Sequence, residues 1–156
     1  MPTKPTLQNK RRNTSTRIEV QVLSRARSLP SAAQMRRWAQ HALRQAAHIT
    51  VRLVGPTEAR RLNQQFRQRD YSPNVLTFVY QTGTEGDIIL CPQIIAREAR
   101  VQGKTLDAHY AHLVVHAVLH LRGFTHHRPD AAARMERAEI RLLRELGYAN
   151  PYVIRT

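Results

Sequence analysis

Hydrophobic and polar residues alternate along IEVQVLS, residues 18–24, so that Ile18, Val20 and Val22 share one side of a half-buried strand. After Pro30 the period changes. Met35, Trp38, Ala39, Ala42, Leu43 and Ala46 fall on one helical stripe, and Ser31 is placed to cap the first turn. Alternation returns in ITVRLVG, residues 49–55, through Ile49, Val51 and Leu53. Strand, helix and strand in this order predict a parallel pair joined by a right-handed crossover. A short helix then runs from a Thr57 cap to Phe66, with Ala59, Leu62 and Phe66 inward, and a Ser72-Pro73 break follows it. NVLTFVY (74–80) and GDIILCP (86–92) read as a third and fourth strand. The short linker QTGTEG between them predicts an antiparallel hairpin.

The remainder reads as helix. Pro92 suits the first position of a helix over 92–101, and a second helix spans 106–122 until Gly123 stops it. Pro129 opens a last amphipathic helix to Leu146, closed by Gly147. No repeat or second composition regime interrupts this. The expectation is one α+β domain over residues 17–156, a small four-stranded mixed sheet packed with helices. Residues 1–16 hold Lys4, Lys10, Arg11 and Arg12, two prolines and no acid, which predicts a disordered basic arm.

Charge changes the picture from fold to partner. Lys and Arg number 25 against 11 Asp and Glu, a net charge of +14, and Arg greatly outnumbers Lys. Such a field attracts polyanions, and arginine forks match phosphate oxygens, so nucleic acid is the expected partner. The single cysteine, Cys91, excludes a disulfide framework and a paired-cysteine metal site. A metal site here must use His, Asp or Glu. No apolar run approaches the roughly 20 residues that span a bilayer, and the polar, basic N-terminus is unlike a secretory signal. A cytoplasmic location without a membrane is therefore expected.

The candidate chemistry is concentrated in VHAVLHLRGFTHH, residues 115–127, which carries four of the eight histidines. Residues four apart on a helix differ by about 40° of rotation and about 6 Å of rise, so His116 and His120 project from one face. Gly123 can take the left-handed conformation that turns the chain back, bringing His126 toward the same point. His127 is the alternative third ligand; the spacing favours His126 and leaves His127 exposed or in support. His109 and His112 share the stripe, and their expected role is to be satisfied by hydrogen bonds along the helix. Three imidazoles without a thiolate suit nickel, copper or, most usually, zinc, here one ion per chain. Three protein ligands leave a fourth position open to water, whose pKa can fall to about 7 on a catalytic zinc. Metzincin proteases place a general-base Glu directly after the first histidine. Ala117 stands there in this chain, which disfavours peptide hydrolysis by that route.

With the preceding AHLVV, the stretch HAVLHLRGFTHH resembles the signature of the YbeY family, bacterial metal-dependent endoribonucleases of ribosomal RNA maturation. LNQQFRQRDYSPNVLTF (62–78), GDIILC (86–91) and LGYANPY (146–152) are similar to three further family blocks in the same order. Ala117, Phe124, Thr125 and Ser72 depart from the usual Gly, Tyr, Asp and residue before the proline. None of these is a ligand, although Thr125 removes a carboxylate that could support one. The resemblance implies His116, His120 and His126 as zinc ligands and places the family's functional arginine at Arg67. It implies a single-strand-specific endoribonuclease of ribosomal RNA, including the 3′ end of 16S rRNA, with a part in ribosome quality control and the ribosome or its proteins as partners. A guanidinium beside a metal can hold two oxygens of a phosphorane, an independent chemical reason for Arg67. The competing role for Arg67 is an ion pair with Asp70, and Asp87 is expected to be structural.

Two other functions fit the same residues. A non-catalytic RNA- or ribosome-binding factor would hold a structural zinc with a fourth protein ligand, such as His127, His112 or Cys91. A zinc hydrolase of another substrate would keep the open site and act on a peptide or small amide.

Overall fold

A computed structural model describes residues 15–153. All of the expected basic arm except Ser15 and Thr16 lies outside them. The chain runs β1 (Arg17–Val22), α1 (Ala32–Ala42), β2 (His48–Leu53), α2 (Pro56–Arg67), β3 (Val75–Gln81), β4 (Glu85–Leu90), α3 (Pro92–Gln102), α4 (Leu106–Leu121) and α5 (Pro129–Glu145). The sheet order is β1-β2-β4-β3. β1 and β2 pair in parallel with Ile18 beside Ile49, β2 pairs in parallel with β4, and β3 returns antiparallel to β4. The fold is α+β with a four-stranded mixed sheet, as the alternation predicts.

Three expected boundaries differ. α1 stops at Ala42 because Leu43 is extended, so Ala46 lies beyond its apolar stripe. The cap of α1 is as predicted: Ser31 and Gln34 bond each other's backbone N–H in a capping box. α2 begins earlier than a Thr57 cap would allow, with Gly55 at the cap and Pro56 in the first turn, where a missing N–H costs nothing. β4 stops at Leu90, short of the expected 92, while Pro92 opens α3 as predicted.

The sheet is covered on both faces. Ile49, Val51 and Leu53 of β2, with Ile88 and Leu90 of β4, join Met35 and Trp38 of α1 and the inner faces of α4 and α5 in the larger core. Ile89 and Leu76 turn to the opposite face, where Ala59 and Leu62 of α2 cover them. α4 packs against α1, α3, α5, β3 and β4. A helix so enclosed must be apolar nearly all round. From His109 to Leu121, only His112, His116 and His120 are not fully buried. Four-residue spacing thus places the one opening of a buried helix along a single line of imidazoles. Removing a core side chain such as Leu119, 0% exposed, would cost about 2–5 kcal/mol and loosen the element that carries them.

α4 also sits very close to the sheet. A Cβ on Gly86 of β4 would fall against the Leu121 side chain and the Phe78 carbonyl oxygen, so glycine is required for this approach.

Candidate functional site

The last two turns of α4 present His116 and His120 with their rings 4.5 Å apart. The helix ends at Leu121; Gly123 follows at φ +99°, and the Phe124 N–H bonds back to the Leu119 carbonyl at 3.0 Å. This left-handed reversal returns His126, whose ring lies 5.9 Å from that of His116 and 4.9 Å from that of His120. One ring nitrogen from each of the three lies within 4.8 Å of the others, a group that could hold a metal ion.

Hydrogen bonds decide how the first two rings face. His116 Nδ1 meets Glu139 Oε1 at 2.8 Å, and His120 Nδ1 meets the Phe124 carbonyl oxygen at 3.0 Å. Both partners are acceptors, so each Nδ1 carries the hydrogen and each Nε2 is left with a bare lone pair. Those two Nε2 atoms stand 3.1 Å apart. Two lone pairs at that distance repel unless a proton or a cation lies between them. A tetrahedral ion with Zn–N bonds of about 2.05 Å would separate two ligand nitrogens by about 3.3 Å, so the donor set fits zinc. Burial first, then the neighbouring His116, holds the His120 imidazole down at about 4, which keeps it neutral and available as a donor at physiological pH.

Glu139 touches the histidine group without having been expected from the sequence. It lies on α5, only 1% exposed. Its other oxygen, Oε2, receives His112 Nε2 at 2.7 Å and the Tyr152 hydroxyl at 2.5 Å. Burial alone would raise its pKa; hydrogen bonds from His112, His116 and Tyr152 outweigh that and bring it to about 2. The carboxylate is therefore ionised, and acts only as an acceptor. A signal was present: Glu139 interrupts the apolar stripe of Met135, Ala138, Leu142 and Leu143.

The other candidates fall as follows. His112 and His109 are hydrogen-bonded, but across to neighbouring helices rather than along α4: His112 to Glu139 of α5, and His109 to Glu98 of α3 at 2.9 Å. His127 is exposed, with its ring 5.8 Å from that of His126. Cys91 is buried in the smaller core. Asp87 accepts from the Tyr80 hydroxyl at 2.7 Å, a structural contact. Arg67, the last residue of α2, donates to the Thr77 carbonyl at 2.7 Å, and its guanidinium lies 5.9 Å from the centre of the Phe78 ring. It is not the partner of Asp70, which Arg60 holds at 2.7 Å.

Arg67 and the three histidines line one groove of about 720 Å³ between β3, α3 and the end of α4. Arg69 and Arg97 line it too, and among the described residues Glu98 is the only acidic one on its walls. The groove is thus electropositive beside three converging imidazole nitrogens, an arrangement for a phosphate-bearing substrate. A sequence model of the family Endoribonuclease YbeY matches residues 10–147. The chain belongs to this family.

Relatives agree with that placement. The chain is 56% identical over 131 residues to Endoribonuclease YbeY of Aromatoleum aromaticum, covering 83% of this chain and 84% of that one. It is 47% identical over 140 residues to Endoribonuclease YbeY of Thiobacillus denitrificans, covering 87% and 95% of the two chains. The solution structure of TM1509 from Thermotoga maritima superposes with a TM-score of 0.54 at 23% identity, over 84% of this chain and 92% of that one, so the fold is shared. The protein is therefore an endoribonuclease, a hydrolase with RNA as its substrate. The expected alternative of a non-catalytic binding factor gives way to that. Among the described residues, no helix is long and apolar enough to cross a membrane.

Proposed function

We propose that this endoribonuclease is zinc-dependent and specific for single strands, with His116, His120 and His126 holding one ion and Arg67 stabilising the phosphate. Its task is maturation of ribosomal RNA, including the 3′ end of 16S rRNA, and ribosome quality control in the cytoplasm, with the ribosome or its proteins as partners. The observation that carries the reading is the 3.1 Å approach of two hydrogen-free Nε2 atoms, with a third imidazole closing the group. When bound, zinc would supply an activated solvent molecule and a Lewis acid beside the scissile phosphate.

The chain's own residues account for the rest. Glu139 and the Phe124 carbonyl fix the tautomers of His116 and His120, leaving Nε2 of each toward the ion. Arg67 is tethered by one N–H to Thr77 on the groove wall, and its remaining donors would hold a phosphate there. Arg69 and Arg97 draw the polyanion in. Ala117, 0% exposed and in the core, supplies no carboxylate at the position where the metzincin proteases keep their base. That favours RNA over a peptide substrate.

Cleavage of a single-stranded ribosomal RNA fragment, beside the same sequence in a duplex, tests this reading. Wild type should cut the single strand, lose activity with a chelator and regain it with zinc; His116→Ala should be inactive. Cleavage that survives both the chelator and His116→Ala would contradict it.

A further inference from the structure

Glu139 is buried inside α5, yet it accepts three hydrogen bonds from groups far apart in sequence. Two come from α4. The third comes from Tyr152, in the segment after α5, where the Asn150 side chain accepts the Tyr152 N–H at 2.9 Å and shapes the turn that presents the ring. That ring stands edge-on to His112, with centroids 5.4 Å apart. A carboxylate in an apolar helix face is destabilising unless its donors are complete, and here they converge on both oxygens.

The two oxygens do different work. Oε2 is taken by His112 and Tyr152, which leaves Oε1 directed at His116 Nδ1. If Oε2 lost a donor, the carboxylate could rotate and His116 could exchange its ring hydrogen between Nδ1 and Nε2. The Nε2–H tautomer has no lone pair toward the other two histidines, so it cannot bind an ion there.

We propose that Glu139 is a positioning residue for the nuclease site and that Tyr152 is its latch, together holding His116 as the Nδ1–H tautomer before any ion arrives. The proposal rests on the metal-site reading of the three histidines. It makes the segment after α5, distant in sequence from α4, part of the metal site's support.

Two readouts on the full chain test it. Long-range ¹H–¹⁵N spectra of metal-free protein report the His116 tautomer, and competition with a chromophoric chelator reports zinc affinity. Wild type should show His116 as Nδ1–H. Glu139→Gln should give a tautomer mixture and a zinc affinity lower by about 10- to 100-fold. Tyr152→Phe, which removes one hydroxyl from a partly exposed residue, should move both readouts the same way, with an affinity loss of about threefold to tenfold. Glu145→Gln, on the same helix but paired with the exposed His41, should change neither.

A folded Glu139→Gln protein that keeps the Nδ1–H tautomer overturns the positioning role, whatever its affinity. Should that variant fail to fold, Tyr152→Phe decides alone, and wild-type values in both readouts overturn the proposal. A wild type that takes up no zinc contradicts the metal reading itself and removes this proposal with it. Zinc uptake by wild type, with neither variant differing from it, contradicts the positioning role alone.

Discussion

Arg67 donates from Nη2 to the carbonyl oxygen of Thr77 at 2.7 Å, which ties the end of α2 to β3 at the wall of the groove. Nearby Asp70 is occupied by Arg60 and does not pair with this guanidinium. Arg67→Ala should lower RNA cleavage by about 100-fold or more, the cost of losing a donor aimed at developing charge, while bound zinc stays at the wild-type level. Single-turnover cleavage and metal analysis on the same preparation check both halves. Unchanged cleavage would remove Arg67 from the mechanism.

His126 and His127 are adjacent, and only His126 joins the group of three converging nitrogens. Zinc affinity should fall on the order of 100-fold or more in His126→Ala. His127→Ala should leave it within about twofold, since an exposed ring outside the group contributes no ligand bond. Isothermal titration against a competing chelator measures both. The opposite ranking would place the third ligand one residue later.

Protonation of His120 sets a pH dependence for the metal-free protein. Its folded-state pKa is lowered from 6.5 to about 4, so the unfolded chain takes up a proton that the folded chain refuses. Stability is therefore undiminished above pH 6.5, falls as pH drops toward 4, and loses on the order of 3 kcal/mol in full. Urea midpoints of chelator-stripped protein at about pH 7 and pH 4.5 should differ less in His120→Asn than in wild type. Equal pH dependence in the two proteins would show that His120 is not the group responsible.

Gly86 is the fold's tightest test. A Cβ there would lie 2.5 Å from the Phe78 carbonyl oxygen, part of β3's backbone, with the Leu121 side chain pressed on it as well. Gly86→Ala should cost about 1–3 kcal/mol of stability, with zinc affinity reduced as the end of α4 is displaced. Denaturant unfolding checks this. A neutral substitution would mean that α4 and the sheet can separate without loss.

Local chemistry made much of this legible in the sequence. Strand alternation at Ile49, Val51 and Leu53, the Ser31 cap and the stop at Gly123 each depend on neighbours a few residues away, and each stands in the structure. The convergence of His116, His120 and His126 was readable for the same reason: one turn of helix and one reversal contain it. Glu139 was not, because its partners His112 and His116 lie 27 and 23 residues away and meet it only when α5 docks on α4. His109 and Glu98 are only 11 residues apart but sit on different helices, α4 and α3, which is why bonds along the helix were expected instead. The early end of α1 rests on the extended Leu43, for which its apolar character is no guide.

X-ray absorption at the zinc edge of the zinc-loaded wild type tests the central claim most directly. Three imidazole nitrogens and one oxygen from solvent are predicted. Four protein ligands, or an ion that the wild type does not retain, would contradict the account.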